Sequence, residues 1–250
     1  MLGLLCIFRL PRGSHVQWQT GFRKGEAHGK YRGIRRNRRF QQGDCPAADK
    51  GSFSSVTCWV IIPAKAPPEA KGRLAEVLDP DARARLARAM LARAVEAAMG
   101  AENLALVGTS RLGQADEIEL LPEPAGGLNT ALTSAREAVA SRGGTRIVTL
   151  AGDLPQVCAA DVAALTALPP GVIGVAPDRH GTGTNALSLP LPEALDFIYA
   201  YGPGSCAKHR AEAARLGLEF REVLTPGLAR DIDEPADLAD AQHLLAAQEG

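Results

Sequence analysis

Aromatic residues are scarce in this sequence, at 4% of its 250 positions, whereas glycine (26 residues) and alanine are plentiful. That composition suits tightly packed α/β layers better than a β-sandwich. Cysteine is sparse too. Cys6, Cys45, Cys58, Cys158 and Cys206 form no CxxC pair and no zinc spacing, so they read as reduced thiols of a cytosolic protein. Long apolar runs are missing. The opening MLGLLCIF is too short to span a bilayer, and its positive charge follows the apolar stretch instead of preceding it, unlike a signal peptide. No later stretch reaches membrane length, so the expectation is a soluble, cytoplasmic protein without a membrane partner. There is no GxSxG, no HExxH and no GxGxxG after the first predicted strand. A hydrolase triad or a dinucleotide oxidoreductase therefore has little support.

What is present is one core's worth of chain, 46% apolar. The formal net charge is zero but unevenly spread: residues 1–50 hold 11 Lys/Arg against 3 Asp/Glu, and the rest holds 17 against 25. The acidic body argues against a nucleic-acid surface and leaves carboxylates available for metal. Residues 1–55, with RGIRRNRRF and no sustained apolar period, read as a basic, disordered extension or as translated sequence upstream of a misplaced start. Val56 would be the true start if its codon is GUG. The functional alternative is an RNA-binding arm. Residues 56–250 are expected to form the domain that acts.

The pattern becomes regular from Cys58. Trp59 to Ile62 predicts a short buried strand ended by Pro63. Asp79-Pro80 predicts an N-cap and first turn for a helix to about Met99. Further strands are expected at 104–109, 146–150, 172–176, 186–189 and 219–223. Helices are expected at 129–141, 161–168, 205–216 and 235–247. Such alternation predicts a mainly parallel sheet covered on both faces, with ligands beyond the carboxyl ends of its strands.

The residues able to do chemistry fall at those ends. Asp153, in AGDLP, directly follows the strand 146–150; the same pattern also serves as an ordinary turn or helix cap. In DIDEP, Asp231 and Asp233 are two apart, so an extended backbone points both to one side. Like charges held together are unfavourable unless a cation lies between them, and hard oxygen ligands suit magnesium arriving with a nucleotide's phosphates. Asp233 could instead cap the helix that follows; capping explains one aspartate, not two. Lys65, Lys71 and Arg73 are spaced so that they can point into one anion site, although the loop is no Walker A. Two small-residue loops, GTGTN and YGPGS, carry Thr184, Gly202 and Ser205. The second runs into a helix whose N-terminus favours an anion, and Ser205 can donate as well as cap. His209, one turn into that helix, reads as a structural or supporting residue rather than a catalyst.

These segments together resemble the CofC/FbiD family, the guanylyltransferases of deazaflavin coenzyme F-420 biosynthesis. The resemblance runs from about Cys58 to about Leu245, carried by IIPAKAPPEAKGRL, GGLNTAL, LAGDLP, GTGTNAL, YGPGSCAKH and DIDEPADL in order. It implies a MobA-like nucleotidyltransferase fold, a single-domain three-layer α/β/α sandwich with a mixed, mainly parallel sheet. It also implies GTP as co-substrate and magnesium, two ions, on Asp153, Asp231 and Asp233. Lys65, Lys71 and Arg73 would form the catalytic basic set on the GTP phosphates. Leu128 and Asn129 would lie near the guanosine, and Thr184, Gly202 and Ser205 would contact the acceptor. The family's acceptors are small phosphorylated acids. The GTGTNAL loop looks closer to members using 2-phospho-L-lactate or 3-phospho-D-glycerate than to those using phosphoenolpyruvate, which stands as the alternative. A MobA-like transferase of another pathway is a rival, but the LAGGxSxRMG loop usual there is absent. A catalytically inactive nucleotide-binding regulator is a second rival, against which the three aspartates count. A homodimer is left open.

Overall fold

The computed structural model describes residues 57–64, 72–241 and 244. The expected basic extension, Lys65 and Lys71 lie outside them. Among the described residues there are seven strands: β1 (Cys58–Ala64), β2 (Asn103–Gly108), β3 (Glu119–Leu121), β4 (Arg146–Leu150), β5 (Val172–Pro177), β6 (Thr184–Pro190) and β7 (Glu219–Glu222). The α-helices are α1 (Pro80–Ala98), α2 (Leu128–Ser141), α3 (Ala159–Thr166), α4 (Ser205–Arg215) and α5 (Pro226–Ala229). Two 3-10 turns, Gly72–Glu76 and Pro235–Ala241, complete the set.

The strands form one sheet in the order β3-β2-β1-β4-β6-β5-β7. Every pairing is parallel except those of β6, which runs antiparallel to both β4 and β5. Residue alternation along β1 divides the core. Val60 and Ile62 pack with Leu91 and Val95 of α1 and with Val162 and Leu165 of α3. Trp59 and Ile61 face the other way, toward Leu132 and Val139 of α2 and Cys206 of α4. Each fully buried Leu or Ile contributes about 1.5–3 kcal/mol, so both apolar faces hold their helices on. The result is the three-layer α/β/α sandwich with a mixed, mainly parallel sheet expected from the sequence.

Three local expectations change. Proline does not end β1: the strand continues through Pro63, paired to Val107 of β2. The ladder to β4 stops at Ile61 and Thr149, so the N–H that proline lacks has no strand to serve on that side. The predicted closing helix 235–247 is a 3-10 turn over 235–241, tightened by the Asp237 N–H bond to Glu234 O at 2.9 Å; most of 242–250 lies outside the described residues. Finally, β3, α5 and the 72–76 turn are too short to show a hydrophobic period.

Asp79 caps α1 as predicted, its Oδ1 accepting from the Ala82 N–H at 2.7 Å, with Pro80 at the first helical position. At the far end of β4, buried Arg146 donates to Ser188 Oγ at 2.9 Å and to the carbonyls of Pro169 and Val172. That guanidinium ties β4, β5 and β6 together at the amino end of β4.

Candidate active site

The carboxyl ends of β1, β2 and β4 lie along one edge, and the reversal of β6 brings its beginning there too. A cleft of about 590 Å³ opens at this edge. Leu128, Asp153, Thr184, Asp231 and Asp233 line it, drawn from four separate stretches of sequence. Gly152 fits because a Cβ there would come within 3.2 Å of Pro63 O, a contact that the Asp153 turn and the end of β1 could relieve only by giving a few tenths of an ångström.

Asp153 and Asp231 belong to segments joined by backbone, since Ile232 N donates to Asp153 O at 3.3 Å. Burial raises the Asp231 carboxyl above its ordinary value, and the charges of Asp153 and Asp233 raise it further. Asn185 offsets part of this, donating to Leu228 O at 2.9 Å and to Asp231 Oδ1 at 3.4 Å. Among the described residues no three acidic, His or Cys side chains converge closely enough to enclose an ion by themselves. The donor set is therefore a half-site: carboxylates that repel one another at a cleft wall. That chemistry fits magnesium, which binds through one or two carboxylates and completes its shell with water and substrate phosphate.

The DIDEP segment is held from behind. The Asp237 carboxylate accepts the N–H groups of Asp233 and Glu234, each at 2.8 Å, and pairs with Arg179. These hydrogen bonds and the guanidinium hold that carboxyl below its ordinary value against the opposing effect of burial. The 72–76 turn packs Leu74 against Ile232, and Arg73 comes within 3.9 Å of Glu234 at the exposed rim. Arg73 thus neighbours the DIDEP carboxylates but does not line the cleft.

Thr184, also lining the cleft, belongs to a hydrogen-bonded cluster. Thr184 Oγ1 lies 3.1 Å from His209 Nδ1 and accepts from Ser205 Oγ at 3.1 Å. His209 Nε2 accepts from the Ala200 N–H. Burial, then the charge of Lys208, pushes the imidazole down to about 4, so it is neutral at physiological pH. Ser205 does not cap α4 as the sequence suggested. Gly204 takes the N-cap position at φ 70° and Gly202 has φ 121°, a left-handed backbone open to glycine. The Ser205 hydroxyl is buried and turned to Thr184 instead.

Asn129 also departs from a position inside the cleft. Its amide is committed to the backbone of Tyr201, accepting from Tyr201 N at 2.8 Å and donating to Tyr201 O at 3.3 Å. Asn129 therefore clasps the YGPGS loop to the start of α2, next to Leu128. Sequence reasoning missed Tyr201, Thr149 and Glu123, all of which line the cleft. Tyr201 and Thr149 share a 2.6 Å hydroxyl contact. Only Tyr201 had a signal in the sequence, its place at the head of YGPGS.

The family model for guanylyl transferases described as CofC like matches residues 58–243. A phosphoenolpyruvate guanylyltransferase of Chloroflexus aggregans is 41% identical over 187 residues, 70% of this chain and 92% of that protein. Its counterpart of Chloroflexus aurantiacus is 36% identical over 75% of this chain and 96% of the relative. Among solved structures, a Methanothermobacter nucleotidyl transferase superposes with a TM-score of 0.57 at 17% identity, over 77% of this chain and all of that one; at that identity the likeness concerns the fold. The chain belongs to the CofC-like guanylyl transferase family.

Proposed function

We propose that this chain transfers the guanylyl group of GTP to the phosphate of phosphoenolpyruvate. In this reaction an acceptor phosphate oxygen forms a bond to the α-phosphorus of GTP. The bond from that phosphorus to the β-bridging oxygen breaks, and pyrophosphate leaves. The observation that carries the reading is the one cleft lined by Asp153, Asp231 and Asp233 together with Thr184. The phosphoenolpyruvate guanylyltransferases named above support that acid over 3-phospho-D-glycerate and 2-phospho-L-lactate, against the preference drawn from GTGTNAL. A role in coenzyme F-420 biosynthesis follows from the family resemblance.

A phosphate monoester is mostly a dianion at neutral pH, its second pKa being about 6, so the nucleophile needs no general base. The obstacle is repulsion between two polyanions. At ~4 Å and an effective dielectric of about 20, each unit like-charge pair costs ~4 kcal/mol. Asp153, Asp231 and Asp233 would hold magnesium, which when bound neutralises triphosphate charge and polarises the α-phosphoryl group. Lys65, Lys71 and Arg73 would add positive charge toward the phosphates. Leu128 would contact the nucleoside, with Asn129 fixing the adjoining loop. Thr184, Gly202 and Ser205 would form the acceptor side.

Pyrophosphate release from GTP is the test, with each of the three acids supplied singly and then in competition. Phosphoenolpyruvate is expected to give the highest kcat/KM. A higher value for either other acid would overturn the choice of acceptor.

A further inference from the structure

The hydrogen bonds behind the acceptor wall run in one direction. The Ala200 N–H donates to His209 Nε2 at 3.1 Å, so that nitrogen presents its lone pair and the neutral ring carries its proton on Nδ1. Nδ1 stands 3.1 Å from Thr184 Oγ1 and can only donate to it. Ser205 Oγ donates to the same oxygen. Two incoming bonds fill the acceptor capacity of a hydroxyl. The remaining use of Thr184 is to donate its own proton. His209 and Ser205 are 0% and 1% exposed, so water does not compete for these bonds, whereas Thr184 lines the cleft. The imidazole is held in orientation by Phe197 and Tyr201, whose rings lie 5.6 and 5.0 Å from it.

We infer that His209 is a positioning residue that fixes Thr184 as a hydrogen-bond donor into the cleft, so that this wall recognises an anionic oxygen of the acceptor. A carboxylate or phosphate oxygen is an acceptor only and satisfies the Thr184 proton. An ammonium group at the same point would leave donor facing donor. The identity of the acid rests on the function proposed above; the polarity of the wall does not.

Two substitutions separate positioning from packing. In His209→Gln the longer amide oxygen can still accept from the Ala200 N–H, but no donor stands where Nδ1 was. In His209→Asn the amide nitrogen takes the Nδ1 place and can donate to Thr184. With GTP and phosphoenolpyruvate, the Gln variant is expected to raise the acceptor KM about tenfold or more while the KM for GTP stays within about twofold. The Asn variant should recover most of that loss. An unchanged acceptor KM in the Gln variant, an Asn variant no better than Gln, or an equal rise in both KM values would overturn the inference. Long-range 1H–15N spectra of the unliganded wild-type protein at neutral pH test it without turnover. The imidazole signal lost in His209→Gln should be a neutral ring protonated on Nδ1. A proton on Nε2, or a doubly protonated ring, would overturn the inference even if phosphoenolpyruvate proves a substrate. Failure of the wild type to use any of the three acids would instead reject the proposed function, with the spectrum still deciding the wall's polarity.

Discussion

Asp231 sits in unfavourable company: partly buried and beside two other carboxylates, relieved only in part by a hydrogen bond from its own backbone N–H and a long one from the Asn185 amide. Its folded pKa is raised, so its favourable contribution to stability is present at low pH and is lost as pH rises through the folded value. At neutral pH without metal the charged side chain therefore opposes folding. Asp231→Asn should abolish turnover yet leave the metal-free protein at least as heat-stable as wild type at pH 7. A Tm several degrees lower in thermal unfolding would contradict that electrostatic picture, and near-normal turnover would remove Asp231 from the site. His209 behaves in the opposite sense. Its folded pKa of about 4 lies below the ordinary 6.5, so its contribution is present above about pH 6.5 and is lost as pH falls toward 4. From that difference the contribution should fall by about 2 kcal/mol between pH 7 and pH 5. Urea unfolding at both pH values should show the loss in wild type and a shallower one in His209→Gln; equal slopes would mean the ring is protonated in the folded protein too.

At the scale of elements, the DIDEP carboxylates depend on the 3-10 turn behind them. Asp237 satisfies two N–H groups of that segment and an arginine while itself 3% exposed. Asp237→Ala leaves those donors without their carboxylate and should cost about 2–4 kcal/mol. Asp237→Asn keeps an acceptor but loses the charge; it should fold and need a higher magnesium concentration for half-maximal rate. Unaltered magnesium dependence in the Asn variant would mean that the turn does not position Asp231 and Asp233. The contrast between Asp231 and Asp237 also indicates what was legible in the sequence. The pair at i and i+2, and Asp153 after an apolar strand, could be read locally because spacing and strand ends are local properties. Asp237 could not: its value comes from a 3-10 turn where a longer helix was expected and from Arg179, 58 residues away in sequence. The same limit applies to Asn129, whose clasp on Tyr201 spans 72 residues, and to the Thr184–His209 contact. The parallel core of the sheet followed from alternating strands and helices. The antiparallel course of β6, which delivers Thr184 and Asn185 to the cleft, carries no mark in its own residues.

For the molecule as a whole, the sheet solves a problem of charge. In the proposed reaction two polyanionic substrates must meet, and the acidic body would repel both if its carboxylates faced them bare. In the proposed function the three aspartates lining one cleft would turn that liability into a place for magnesium, while Thr184 would offer a fixed donor in place of a cation. Guanylyl transfer to phosphoenolpyruvate also predicts a bond that no hydrolysis or kinase reaction makes. The phosphorus of the acid becomes joined through oxygen to the α-phosphorus of the nucleotide. The most direct measurement is a 31P NMR spectrum of the products formed from GTP, phosphoenolpyruvate and magnesium. Two mutually coupled resonances of a mixed diphosphate diester are expected together with pyrophosphate, all absent when EDTA is added. GDP and inorganic phosphate with the phosphoenolpyruvate signal unchanged would contradict it.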